Sequence, residues 1–305
     1  MAIYGKSIRI YLKDGTVTGI RFGEIVNQTI MSVACPRNRV SELKSYSEAN
    51  RPGVYFLFGI DGETGDTKAY IGEAENVYER LQDHLAKKEF WNEVIFFVSK
   101  DENLTKSHVK YLESNTIRIA NTTKRYIIEN GNQSQASSLP PADRDAMEEF
   151  LVYMKLLLGV FGHKFLEELS PIKFINKEYT SLDDFSKIDN QLVNDEKIIE
   201  LSLSVSGLNA KAIQTDEGIV VLQNSEVAKE IRSSLSMGYR ELREKLINNE
   251  TIKLVDNKYI FQKNYLFNSA TPAAAIIVGY NISGPQTWKD QYGKTLKDIE
   301  EQKIK

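Results

Sequence analysis

The chain has 305 residues, with 39 Lys and Arg against 42 Asp and Glu, three His and one Cys. That length suggests two domains of ordinary size, and a lone Cys35 excludes a disulfide-stapled secreted scaffold. Three scattered His and one Cys cannot build a zinc finger, and a net charge of -3 excludes a tail-driven, histone-like nucleic-acid binder.

The first residues lack the apolar stretch of a secretory signal. The longest apolar run, 150–162, is interrupted by Lys155 and falls short of the roughly 20 residues that span a bilayer. The expectation is a soluble, cytoplasmic protein that does not enter the membrane.

Residues 1–50 read as a strand-rich N-terminal appendage. Ile8 to Leu12 alternates, Asp14-Gly15 marks a hairpin turn, and Val17 to Ile25 returns. Seven basic side chains oppose four acidic ones there, while residues 141–200 hold 13 acids and 7 bases. The near-neutral total therefore hides a basic N-terminal end, although a solvated face is the plain reading of so small an excess.

A hairpin follows, with strands Gly53 to Gly59 and Ala69 to Gly72 around a turn-rich loop. The spacing of Val77, Leu81 and Leu85 predicts an amphipathic helix from Asn76 to about Lys87. Val94 to Val98 is a third strand, and Thr105 caps a helix running to about Ala120. Residues 51–131 thus form one small α+β unit.

Residues 132–200 read as a helical connector and linker. The stretch 131–140 is linker-like, Pro141 opens a helix with Met147, Phe150, Leu151, Met154, Leu157 and Leu158 at core spacing, and 178–200 is an acidic boundary. Residues 201–305 turn to short strands (201–205, 211–214, 219–223). A helix around 239–249, a hairpin through Asp256-Asn257 and a small-residue helix 272–279 follow, as expected of a second α+β domain.

Three polar placements bear on chemistry. Arg80 and His84 lie four apart on one helix and project side by side. Tyr55 and Tyr70 sit on paired strands, each two residues from a glycine, Gly53 or Gly72. Glu113 lies within or beside an apolar helix stripe, where a carboxylate is costly unless paired with a cation. Each also has a structural reading: a solvated pair, core aromatics, or a salt bridge from Glu113 to Lys106 or Arg80. Together they supply what phosphodiester hydrolysis uses: a base, a cation for the phosphorane charge and a carboxylate for a divalent ion.

Gly53-Val54-Tyr55, Tyr70-Ile71-Gly72, Arg80, His84 and Glu113, in that order over about residues 52–130, resemble the GIY-YIG nuclease family. The resemblance implies a small antiparallel sheet flanked by helices, and a metal-dependent endonuclease acting on DNA. It makes Tyr55 the water-activating base, supported by Tyr70 and His84. It makes Arg80 the group that stabilises the phosphorane and Glu113 the ligand of one Mg²⁺ or Mn²⁺. Asn130, with Asn121 as rival, would be the family's later asparagine, and the hairpin loop 59–68 is long for the family. A single carboxylate argues against a two-metal nuclease.

In the C-terminal part, 242–246, 269–275, Gly279, Gly284 and Trp288-Lys289 resemble an uncharacterised domain often attached to GIY-YIG modules. They are also similar to the small domain associated with restriction enzymes and adenine methylases, which implies DNA recognition. Trp288 reads either as a stacking platform or as a core tryptophan. A non-catalytic nucleic-acid-binding protein that retains the nuclease fold is the alternative function.

Overall fold

The computed structural model describes residues 5–130, 138–169, 199–256 and 258–304. The chain divides into two units, Met1–Glu168 and Leu169–Lys305, and each is α+β. Most of the expected linker 131–140 and of the acidic boundary 178–200, and Asn257 of the expected hairpin turn, lie outside the described residues.

The first unit is built on strands β1 (Ile8–Leu12), β2 (Arg21–Ile25), β3 (Ile30–Pro36), β4 (Gly53–Ile60), β5 (Thr67–Ala74), β6 (Trp91–Ser99) and β7 (Ile127–Ile128). They form one sheet in the order β1-β2-β3-β6-β4-β5-β7, antiparallel except for the parallel β5–β7 pair. β4 is central and buried on both faces, which is why it reads as an unbroken apolar run. Val54, Phe56 and Phe58 point to one core, under α2 (Lys106–Thr123) and α3 (Pro141–Val160). Tyr55 and Leu57 point to the other, under α1 (Val77–Lys87) and the 3₁₀ segment Arg37–Ser45.

Residues 1–50 contribute three strands to the same sheet as the hairpin. The return strand is shorter than its pattern suggested. Residues 14–19 belong to the turn, and Lys13 N donates to Ile20 O at its base (3.0 Å). β3 and the 3₁₀ segment carry no clear periodicity. They are held by long-range contacts instead, among them Arg37, which donates to Leu85 O (3.0 Å) and Lys88 O (2.6 Å) and lies over the Trp91 ring. The hairpin strands run longer than expected and leave 61–66 as the turn, where Asp61 Oδ1 accepts from the Glu63 and Thr64 amides.

The second unit has a four-stranded sheet made from β8 (Ile199–Val205), β9 (Leu208–Thr215), β10 (Gly218–Val221) and β14 (Tyr265–Phe267), in the order β14-β10-β9-β8. A three-stranded sheet, β11-β13-β12, comes from Glu226–Val227, Lys258–Phe261 and Ile252–Val255. α5 (Ala270–Val278) is the core helix, buried over most of its surface, with α4 (Met237–Asn248), α6 (Gly284–Thr287) and α7 (Leu296–Ile304) completing the unit. α5 and α6 approach so closely that a Cβ on Gly284 would lie 2.2 Å from the Ala270 backbone. No helix among the described residues is long and apolar enough to cross a membrane.

Candidate active site

The site starts from the β4–β5 register. Tyr55 lies directly opposite Gly72, with its phenol folded across the glycine. A Cβ at position 72 would meet Tyr55 Oη at 2.2 Å, so only glycine leaves room for the ring. Tyr70, two residues away on the same face of β5, brings its ring centroid within 6.2 Å of the Tyr55 ring.

α1 delivers the next two groups. Asn76 caps it by accepting from the Glu79 amide (3.1 Å), fixing where the helix starts over the sheet. Arg80 and His84, one turn apart, then both reach Tyr55. His84 Nε2 is 2.7 Å from Tyr55 Oη, and Arg80 Nε donates to the same oxygen at 3.4 Å. The His84 ring also packs within 5.1 Å of Tyr70. The structure therefore brings Tyr55, Tyr70, Arg80 and His84 together.

Burial sets the protonation of this group. Tyr55 is fully buried and His84 is 4 % exposed. Desolvation pushes the Tyr55 phenol above its ordinary range, and the neighbouring Tyr70 adds to the rise. His84 is pushed down to about 4, first by burial and then by the charges of Arg80 and Lys88. At neutral pH the pair is a neutral phenol against a neutral imidazole, and His84 Nδ1 is buried with no hydrogen-bond partner. The Arg80 guanidinium is held charged by its bond to Tyr55 and keeps an exposed side, where Asp83 lies 3.7 Å away.

Glu113 is half-buried on α2, and its charge reaches Tyr55, where it opposes ionisation of the phenol. Lys106 is paired with Glu75 (2.7 Å) and Arg80 faces Asp83, while Glu113 keeps polar interactions of its own. No group of three or more His, Cys, Asp or Glu suited to a metal ion occurs among the described residues. Glu113 is thus a half-buried carboxylate outside any such group. Mg²⁺ keeps several waters and needs only one or two carboxylates when substrate phosphates complete its shell.

Asn130 is bonded to the β5 backbone. Its Oδ1 accepts from Ile71 N (3.0 Å) and its Nδ2 donates to Ile71 O (2.7 Å), so the amide extends the β5–β7 pairing. It clamps the strand between Tyr70 and Gly72. Asn121 is exposed near the end of α2. Sequence reasoning missed Lys88, whose ammonium lies 4.3 Å from the Tyr70 ring centroid and adds positive charge beside His84. Its signal was the spacing, since 80, 84 and 88 repeat every four residues.

Comparison with known families reports on the other unit. Residues 201–300 match DUF4357, a domain of unknown function. No curated protein matches the chain, and no solved structure does. In the DUF4357-like region, several of the residues that carried the sequence resemblance are packing residues, while Glu244, Lys245, Ser269 and Lys289 are exposed. Leu246 and 273–275 are buried, and Trp288 is 0 % exposed with its indole N–H donating to Ala270 O (3.2 Å). The stacking-platform reading of Trp288 is thereby corrected: the ring is core. Arg243 is likewise buried, donating to the carbonyls of Ile276 and Ala228 beside the Tyr259 ring.

Proposed function

We propose that the first unit is a metal-dependent endonuclease that hydrolyses DNA phosphodiester bonds with one metal ion, as the GIY-YIG resemblance implies. The observation that carries this reading is the shared oxygen: Tyr55 Oη lies 2.7 Å from a neutral His84 Nε2 and also accepts from Arg80. A buried phenol cannot wait as phenolate, so it acts as base only if its own proton has somewhere to go. With the His84 proton on Nδ1, Nε2 accepts the Tyr55 proton as the phenol oxygen takes one from the attacking water. Arg80, charged and half-exposed, meets the growing charge on the phosphorane.

Glu113 would hold the Mg²⁺ or Mn²⁺, which when bound supplies Lewis-acid stabilisation to a nonbridging phosphate oxygen. Tyr70 and Lys88 hold the His84 side of the site, and Asn130 fixes the strand under it. A cytoplasmic location belongs to the same reading, in keeping with a Cys35 thiol that is buried and pushed up to about 12. The DUF4357-like region is assigned target recognition by the sequence resemblance alone.

Incubation with single-stranded, duplex, branched and methylated DNA, with Mg²⁺ or Mn²⁺, tests the reading. Cleavage of at least one substrate that is lost in Arg80→Ala supports it. Binding without cleavage on every substrate would instead favour a non-catalytic clamp.

A further inference from the structure

The sheet carries a second feature on the face that presents Tyr55. Cross-strand partners run in one line from the edge: Tyr11 opposite Phe22, Phe22 opposite Val33, Val33 opposite Phe96, Phe96 opposite Tyr55 and Tyr55 opposite Gly72. Directly opposed residues point the same way, so Tyr11 and Tyr55 share a face about 19 Å apart, four strand spacings. At the Tyr11 end lies a groove of about 740 Å³.

Its floor is aromatic. The ring centroids of Tyr11 and Phe22 are 6.1 Å apart, and those of Phe22 and Tyr46 are 5.5 Å apart. Tyr11 is 60 % exposed, unusual for a ring of that size on a sheet face. Arg9 and Tyr11 share one face of β1, and Lys13, just past the end of the strand, lines the same groove with its Nζ 6.0 Å from the Tyr46 centroid, so a cation stands on either side of the ring in sequence. Glu24 is the acid nearest Arg9, at 3.6 Å, and it is held ionised first by Lys100 at 2.5 Å. Arg9 and Lys13 line the groove with Glu24 and Glu48, and Lys100, outside the lining, is paired with Glu24 and so offsets part of its charge.

We propose that this groove binds unpaired nucleotides of the nucleic acid substrate, stacking bases on Tyr11 and its neighbours while Arg9 and Lys13 meet the flanking phosphates. Exposed rings bracketed by cations are the pattern of single-strand binding surfaces, whereas a site for an apolar peptide has no use for charges on both sides of its central ring. A base pair hides its faces within the stack, so the occupant is an unpaired tail, flap or loop rather than continuous duplex. The register places it in line with the reacting centre, and to that extent the proposal rests on the nuclease reading of Tyr55. It makes the preferred substrate a junction, with the scissile bond held at Tyr55 and the unpaired strand led toward β1 over the outside of the 3₁₀ segment Arg37–Ser45, which covers Val33 and Phe96 between the two.

Binding of a fluorescein-labelled short duplex by the full chain, in chelator so that nothing is cut, tests this. One form of the duplex is blunt and the other carries about six unpaired thymidines. The tail should tighten binding about tenfold. Tyr11→Ala should abolish that gain and leave blunt-duplex binding unchanged, and Tyr11→Phe should retain it. A tail that adds no affinity, or a gain that survives Tyr11→Ala, overturns the proposal. So does an uncharged apolar peptide that quenches tyrosine fluorescence where the tail does not, because the groove is then a protein site. If the tail effect depends on Tyr11 but no substrate is cut when metal is restored, the groove stands and the nuclease reading falls.

Discussion

Tyr55 occupies the volume that any side chain on Gly72 would need. The two are cross-strand partners, and a Cβ on Gly72 would meet Tyr55 Oη at 2.2 Å and the adjoining ring carbon at 2.3 Å. The second glycine of the motif is thus a condition on where the phenol lies, and through the phenol on its contacts with His84 and Arg80. Gly72→Ala should cost ~1–3 kcal/mol, as other small-to-large changes in packed sites do, and should lower cleavage by more than the lost stability explains. Gly62→Ala, with nothing within 4 Å of its added Cβ, is the control and should melt like the parent. Thermal melts and initial rates on the same samples make the comparison.

His84 gives a pH signature. Its imidazole is pushed down to about 4 in the folded protein, against 6.5 for the free side chain. Between those values the unfolded chain takes up a proton that the folded one refuses, so stability should fall as pH drops from about 6.5 to about 4 and level off below. The loss is on the order of 3 kcal/mol, and His84→Gln should remove it from the stability profile. Cleavage should not follow an ordinary histidine titration, because His84 stays neutral well below pH 6.5. A rate that halves near pH 6.5 through His84 would contradict the relay. At neutral pH, His84→Gln should lower the rate by about 10²–10⁴ if the proton transfer is assigned correctly.

Asn130 is argued to act through the strand it clamps. Asn130→Ala removes both bonds to Ile71 and should cost about 1–2 kcal/mol. A specific readout is hydrogen exchange at the Ile71 amide, which should quicken more than exchange elsewhere in β5. Unchanged exchange there would mean that the clamp is dispensable.

Much of this was legible in the residues and some of it was not. Asn76 announced the start of α1 because a cap is a local interaction, and the stripe from Met147 to Leu158 announced the buried face of α3 because helical spacing is local too. The two tyrosines, Arg80 and His84 could be grouped because a hairpin and its following helix place them by short-range geometry. The Asn130–Ile71 bonds span 59 positions and could not be read that way. Nor could the insertion of β6 between β3 and β4, which long-range strand pairing decides. The double burial of Tyr55 and His84 was also hidden, since it depends on what the 3₁₀ segment Arg37–Ser45 and α1 cover.

Trp288 separates packing from recognition in the DUF4357-like region. Its ring is buried and its indole N–H bonded to Ala270 O, so Trp288→Ala should destabilise that unit by roughly 3–5 kcal/mol. Trp288→Phe keeps most of the volume and should cost less while leaving DNA affinity unchanged. DNA affinity that drops in Trp288→Phe with no change in melting would restore the stacking reading.

The central claim, one metal held by one carboxylate, is tested most directly by Glu113→Gln, which keeps the shape of the side chain and removes its charge. Cleavage by the parent and the variant is measured across a Mg²⁺ titration, with melting followed alongside. The account predicts cleavage that chelator abolishes in the parent and a loss of at least about 10³ in the variant, larger than any change in melting explains. Equal cleavage by both proteins, persisting in chelator, would contradict it.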